Sequence, residues 1–381
     1  AGLAAIGRAF SSLADVSGGP YLGVRRTGEL LQSRLAADDS ADPGRSGMAW
    51  EYLAKGEALM DVRLEHGGSL QVTSHAASER GPPPGESAGT RQEWRVLAFT
   101  PDAGTTDLVQ SVTKVCVPPV GSARLRAEVL PLAYTKSLAT ITLATLAALG
   151  TPVLPSDKRA PHEKLRVLCI GLGAGSVPSF FAHHIPHCEV DVVELEPAVA
   201  RAAVEGMGLE PGPRLRVHVE DGGRFALRAA GAGTDEADSA SATGSARGDA
   251  YDAVLVDAYD AAGAVPLELW GGGGALCRAL AAGLLNRRAG IVATNFLPSV
   301  DVGPPLAAYR SALGGGASLG FSVQAKGSGN RIAVHACGGP PGAAGWSRAV
   351  LRQRLEAAAR QVDGAIGCNF DMAELAVRGL Q

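Results

Sequence analysis

Paired cysteines are missing from this chain: its six thiols, Cys116, Cys169, Cys188, Cys277, Cys337 and Cys368, are scattered, and no C-x-x-C occurs. That spacing argues against a zinc site and against a disulfide framework, and it fits a reducing intracellular compartment. Cys169 falls inside an apolar run and reads as a small core residue. Long apolar runs are missing too. The longest candidate, Leu138 to Leu149, falls short of the ~20 residues of a membrane-spanning helix and is interrupted by threonine. Charge of one sign is also absent, because 35 Lys and Arg face 38 Asp and Glu, a net charge of −3. Nothing basic advertises a nucleic-acid surface.

What is present is enough apolar material for a buried core, 46% of the residues. A length of 381 residues predicts two units, or one domain with an extension. Residues 1–45 read as an N-terminal extension. Its first 26 residues, rich in Ala, Ser and Gly with Arg8, Arg25 and Arg26, suit the tail of an organellar targeting sequence and equally a mobile terminus, leaving cytoplasm or organelle open. An amphipathic pattern covers 28–37. Residues 46–124 read as a β-rich module, with alternating strands over 58–64, 69–73, 94–99 and 108–117 and a Pro/Gly loop at 81–89.

Residues 125–340 carry a different rhythm. After a helical stretch over 125–149, strands at 165–170, 190–195, 215–219, 251–256 and 290–295 alternate with helices at 176–184, 198–206, 224–230 and 267–285. Such alternation predicts a parallel sheet with helices on both faces, an α/β Rossmann-like domain. Residues 231–248 are small and acidic and read as a flexible insertion. Residues 341–381 form a C-terminal helical segment, with an apolar face of Val350, Leu351, Leu355, Ala358 and Val362.

The first of those strands runs straight into Gly171-Leu-Gly173-Ala-Gly175-Ser176 and then a helix. Glycines in that context permit a tight turn and let a ligand touch backbone. The spacing is G-x-G-x-G; the dinucleotide fingerprint would need a glycine where Ser176 stands, which disfavours an NAD-dependent dehydrogenase. Carboxylates follow the next strands in turn. Glu194 and Glu196 end the second, Asp221 with Gly222 the third, Asp257 and Asp260 the fourth. Polar groups at successive strand C-termini converge on the crevice where open α/β sheets bind ligands. Glu194 suits a ribose diol, and Asp221 an adenine amino group. The histidines 183, 184 and 187 admit a metal reading, but imidazoles at the negative end of a helix explain them more simply. Asn295 reads as a polar contact or a strand terminus, and Trp270 and Phe296 as packing residues.

These motifs resemble the spermidine synthase-like group of class I methyltransferase-fold enzymes over roughly residues 94–335. The resemblance rests on Gln110-Ser111, the glycine loop, Val193-Glu194-Leu-Glu196, Glu220-Asp221-Gly222 and Asp257-Ala-Tyr259-Asp260. It implies an adenosyl sulfonium donor held by Gln110, Gly171, Gly173, Gly175, Glu194, Asp221 and Gly222. Asp257 and Asp260 would face the acceptor as catalytic residues, Tyr134 would line its pocket, and the loop 261–270 would gate it; Tyr259 reads as lining that pocket or as packing the gate. A homodimer is implied as well.

Members of the group transfer either aminopropyl or methyl, both by displacement at carbon bonded to a sulfonium. Spermidine synthases carry an acid in the glycine loop to pair with the lone ammonium of decarboxylated S-adenosylmethionine; here Ala174 stands there, and the family's Tyr-His pair is Tyr134-Thr135. The loop without its acid resembles the branch of protein methyltransferases that includes a domain acting on a translation elongation factor. Transfer of methyl from S-adenosyl-L-methionine to a protein or small amine is therefore the expected activity. Aminopropyl transfer and an inactive scaffold retaining the fold are the rivals. A scaffold, however, needs neither Asp257 nor an intact glycine loop.

Overall fold

The computed structural model describes residues 56–381 except 65–67, 78–81, 84, 101–107, 155–163, 233–249, 260–264, 272, 299 and 316–317. The amphipathic pattern over 28–37, the stretch 1–26, nearly all of the 231–248 segment and Asp260 lie outside the described residues.

Five strands, β1 (Glu57–Arg63), β2 (Ser69–Ala76), β3 (Arg91–Thr100), β4 (Leu108–Val117) and β5 (Arg124–Leu125), form an antiparallel meander in chain order. Alternation decides its two faces. Trp94 and Val96 point with Val112 toward Leu132, whereas Leu70, Val72 and Leu97 meet Ala174, Val199, Ala202 and Met207 of the following region. Buried Arg95 shares this second face and donates to the Gly206 carbonyl, while the Leu125 N–H donates to that of Gly208 at 2.7 Å. Those bonds fasten the meander to the larger sheet's loops.

The larger sheet comprises β6 (Leu165–Ile170), β7 (Cys188–Glu194), β8 (Leu215–Val219), β9 (Ala253–Val256), β10 (Ala289–Phe296), β11 (Ser318–Gln324) and β12 (Arg331–Gly338). Their order is β11-β12-β10-β9-β6-β7-β8, and β12 alone runs against the others. This is the expected Rossmann-like class I methyltransferase arrangement, with the order reversing between β6 and β9. A crevice opens at such a reversal, outside the strand C-termini. The β11–β12 hairpin, whose alternation is weak around Gly320, went unread in the sequence.

Helix α1 (Ala133–Ala148) is buried on nearly all sides, as its almost charge-free sequence requires. It begins later than position 125 because Arg124–Leu125 joins the meander and Pro131 precedes the helix. The other helices are α2 (Ser176–His184), α3 (Pro197–Arg201, continued by a π turn at Ala202–Gly206), α4 (Gly222–Ala229), α5 (Leu267–Trp270), α6 (Ala275–Ala282), α7 (Gly303–Ala312), α8 (Arg348–Ile366) and α9 (Met372–Val377).

Two expectations need correction. The helix read over 267–285 is two helices, because a Cβ at Gly274 would lie 2.6 Å from the Leu269 carbonyl oxygen and one at Gly271 2.8 Å from that of Leu267. On α8 the buried stripe is Leu351, Leu355, Ala358, Ala359 and Val362. Val350, a residue earlier and so ~100° round the helix, is exposed. Beyond α9, residues 378–381 bond the outer edge of β11 through Gln324 and Ser322, covering an edge that would otherwise recruit another strand. Among the described residues no helix is long and apolar enough to cross a membrane.

His335 on β12 is fully buried opposite Gly320, which leaves room for the ring, and neither ring nitrogen has a hydrogen-bond partner among the described residues. Burial, with a smaller contribution from Arg310, lowers its pKa to about 4. An unfolded histidine protonates near ~6.5, so between those values the unfolded chain binds more protons than the folded one. Stability is therefore complete above about pH 6.5 and falls, by about 3 kcal/mol from this residue, as pH drops toward 4. Urea unfolding at pH 7 and pH 4.5 should show this loss, and His335→Leu should flatten it. An unchanged pH slope in that variant would contradict the assignment.

Candidate active site

Each strand end around the reversal contributes backbone or a carboxylate to one place, the loop after β6. Gly171, Gly173 and Gly175 have φ of 97°, 51° and 79°, values that side chains resist. Space forbids a Cβ as well. At Gly171 it would sit 2.3 Å from the Asp257 carbonyl oxygen, and at Gly173 2.5 Å from Ser111 Oγ. The loop is therefore bare backbone pressed between β9 and the meander.

Ser111 Oγ accepts from the Ala174 N–H at 3.1 Å, and Ser176 Oγ donates to the Val112 carbonyl at 3.4 Å. Next to Ser111 the β3–β4 register slips, with Leu97 opposite Ser111 and Ala98 opposite Val109. Gln110 is the residue left over, a β-bulge. Bulges re-aim a side chain, here from the strand that backs the glycine loop.

Glu194 closes the loop's other side. Its Oε2 accepts from the Leu172 N–H at 3.0 Å and its Oε1 from the Glu196 N–H at 2.9 Å. Burial pushes its pKa up, and those backbone donors oppose the rise. Its two oxygens lie side by side, the form in which a carboxylate meets two neighbouring hydroxyls. Glu196 instead caps α3 through the Ala198 N–H at 3.1 Å.

Asp221 is exposed at the end of β8 and caps α4, its Oδ1 accepting from the Arg224 N–H at 2.8 Å. Adjacent Glu220 is held by both terminal nitrogens of Arg228, at 2.7 and 2.8 Å, and is withdrawn from the crevice. Gly222 lets α4 approach β6, since a Cβ there would lie 2.6 Å from Ile170 Cγ2. Asp221 thus stands at a helix N-terminus with a second oxygen outside the cap.

Asp257 follows β9, and its N–H bonds the Ile170 carbonyl at 2.9 Å. Its Oδ1 accepts from Asn295 Nδ2 at 2.9 Å. Burial raises its pKa, opposed by hydrogen bonds from Asn295, Tyr134 and Tyr259. The two tyrosines read as acceptor-pocket residues therefore converge on this carboxylate, and the Asn295 main-chain oxygen, 3.0 Å from the Tyr259 hydroxyl, competes with it for that phenol's single hydrogen. Thr135 spends its hydroxyl on the Leu132 carbonyl at 2.7 Å, inside the helix start. Ala174 is buried in the apolar cluster with Leu70, Val72 and Leu97, so it brings no charge to the crevice. Trp270 donates to the Val265 carbonyl, and Phe296 is buried in the core.

Asn295 is fully buried and bonded on both amide branches, to Asp257 and to Asn330. Two further residues escaped the sequence reading. Leu195, between Glu194 and Glu196, and Leu267, at the start of α5, are 70% and 62% exposed, although large apolar side chains ordinarily turn inward. A leucine between two strand-end acids was the available signal. The histidines do not form a site. Helix α2 stops at His184, Ile185 is extended, and His187 lies 3.4 Å from the Pro152 carbonyl, so 183 and 187 share no helical face. No group of metal-ligating side chains is placed to hold an ion among the described residues.

No protein-family model matches the chain. Curated relatives match short stretches. An eEF1A lysine and N-terminal methyltransferase of Mus musculus is 34% identical over 73 residues, 19% of this chain and 10% of that protein. A polyamine aminopropyltransferase of Vibrio vulnificus is 35% identical over 95 residues, 25% of this chain and 27% of that protein. The chain thus spans about a tenth to a quarter of the curated relatives it matches. Among solved structures, human methyltransferase-like protein 13 in complex with SAH aligns with a TM-score of 0.41 and 22% identity, covering 59% of this chain and 89% of that one. The sequence relatives fall on both sides of the group, methyl and aminopropyl, to which the motifs point.

Substituting Gly171→Ala should cost at least ~2 kcal/mol, from a disfavoured φ and a backbone clash. Urea denaturation measures it, and an alanine variant as stable as its parent would contradict the close approach to Asp257.

Proposed function

We propose that this chain is an S-adenosyl-L-methionine-dependent methyltransferase of the spermidine synthase-like group, transferring methyl to an amine, with a protein as the acceptor. The observation that carries the choice of methyl is Ala174. A donor ending in a lone ammonium wants an acid in the glycine loop, and this loop offers a methyl group inside an apolar cluster.

The residues fit an adenosyl group. The paired oxygens of Glu194 suit vicinal ribose hydroxyls, and the second oxygen of Asp221 suits an exocyclic amino group. The exposed face of Leu195 suits a purine ring. The N–H groups at the start of α2 suit the donor's carboxylate.

The reaction is a displacement. The amine lone pair forms the new N–C bond as the carbon–sulfur pair returns to sulfur, leaving a thioether, and the amine then gives up a proton. In this reading Asp257 holds the amine by hydrogen bonding, fixes its line of approach and takes the charge that develops on nitrogen. Tyr134 and Tyr259 fix the carboxylate's orientation and help exclude water. Asp260, three residues on, is assigned to the acceptor by resemblance alone. The relative in Mus musculus, named for methylating lysine and N-terminal amines of eEF1A, supports a protein acceptor.

Aminopropyl transfer is the second reading, favoured by the likeness to the polyamine aminopropyltransferase and by an Asp–Tyr–Tyr cluster that would suit a small amine equally. Calorimetry decides between them. S-Adenosylmethionine should bind more tightly than its decarboxylated form, by about tenfold or more, the worth of one charge-assisted pair. The reverse order would establish polyamine synthesis instead. Asp221→Ser, which keeps a side chain able to cap α4, should weaken either donor about tenfold while leaving the melting temperature within a few degrees. Unchanged affinity would displace the adenine from this corner.

A further inference from the structure

We propose that Asn330, in the turn between β11 and β12, is a positioning residue for Asp257, acting through the Asn295 amide. The inference rests on reading Asp257 as the group that faces the acceptor. Asn330 is 4% exposed and Asn295 1%, so neither amide can exchange its partners for bulk water. Asn295 Nδ2 lies 2.9 Å from Asp257 Oδ1, and Asn330 Nδ2 lies 3.1 Å from Asn295 Oδ1.

Toward an ionised Asp257 the direction of these bonds is forced by chemistry. An ionised carboxylate has no hydrogen to give, so only the NH2 branch of Asn295 can meet Asp257. An amide carries its oxygen on the opposite branch, and turning the nitrogen one way aims the oxygen the other way, into a buried space. A buried carbonyl without a donor is costly. Asn330 supplies that donor, and its main chain is held in turn. Its N–H bonds Ser328 Oγ at 3.3 Å, its carbonyl accepts from Ala325 N–H at 2.8 Å, and Gly327 and Gly329 precede it at φ of 75° and 73°. A rigid turn thereby fixes one amide, that amide fixes a second, and the second holds Oδ1 of Asp257 in its ionised form. Oδ2 is left outside this pair.

The other groups that face Asp257 are the phenols of Tyr134 on α1 and Tyr259 after β9, and the Cys169 thiol on β6. Burial pushes Tyr259 and Cys169 up, which keeps both neutral while Asp257 titrates.

The decisive variant is Asn330→Asp, which has nearly the same shape and no N–H on its side chain. Asn295 would then turn its NH2 toward position 330 and its oxygen toward Asp257, which can meet it only when protonated. The proton affinity of Asp257 is read from carbon-13 carboxyl resonances of aspartate-labelled full-length protein, with Asp257→Asn identifying the signal. Asn330→Asp should raise that affinity about tenfold, and Asn330→Ala should raise it by less. Asn330→Ser, which restores a donor, should return part of the difference. Equal proton affinity in the unmodified protein and in both Asn330→Asp and Asn330→Ala would overturn the proposal, and should the first not fold, the second decides by the same criterion. S-Adenosylmethionine titrated into the unmodified protein keeps the two questions apart. Failure to bind it would remove the proposed reaction and leave the result on Asp257 intact.

Discussion

The close approach of backbone to backbone where the β6 loop meets Asp257 is the constraint on which the rest of the structure depends. At Gly171 there is no room for a carbon, and the adjoining turn needs left-handed φ at three positions. That contact brings the end of β9 against the end of β6, at the point where the sheet's order reverses. Once it is made, Glu194 can bond the Leu172 N–H from one side and Ser111 can bond the Ala174 N–H from the other. A small antiparallel module is thereby locked to a Rossmann-like sheet by the same atoms that form the floor of the crevice. Structure and site are not separable here.

The electrostatics follow from that geometry. Carboxylates in low dielectric resist ionisation, and each of the two enclosed acids has donors that offset the cost: backbone N–H groups at Glu194, an amide and two phenols at Asp257. Asp221, left in solvent, takes the helix-capping role that acids favour at a positive helix end. Three acids at consecutive strand ends therefore stand in distinct environments, which is what distinct tasks on one ligand require. Asp191, by contrast, is a buried carboxylate bonded by Arg216, His218 and Tyr251. Those partners hold it well below the ordinary carboxylate range and leave it nothing to offer a substrate.

Much of this was legible in the sequence, and the parts that were not have physical reasons. β6, α2 and β8 were read at their observed limits because an apolar run, a glycine turn and strict alternation are local signals. Gln110, Glu194, Asp221 and Asp257 could be named from motif positions, but that Gln110 sits on a bulge depends on the register of a neighbouring strand. Val350 was misplaced because a helix's buried stripe is set by its neighbours as well as by its apolar residues. The break at Gly271 and Gly274 comes from carbonyls that crowd them within the folded turn. Asn330 carries no local pattern whatever. Its significance arises from a hairpin that brings position 330 to position 295, a pairing no spacing rule predicts.

The central claim is that an adenosyl ligand lies on the glycine turn, between the ends of β7 and β8. Hydrogen exchange of the protein with and without S-adenosylhomocysteine, the thioether product of the proposed reaction, tests it most directly. Slowed exchange confined to segments containing residues 171–175, 194–196 and 221–223 is the predicted result. Binding that protects other segments and leaves these unchanged, or no binding at all, would contradict it.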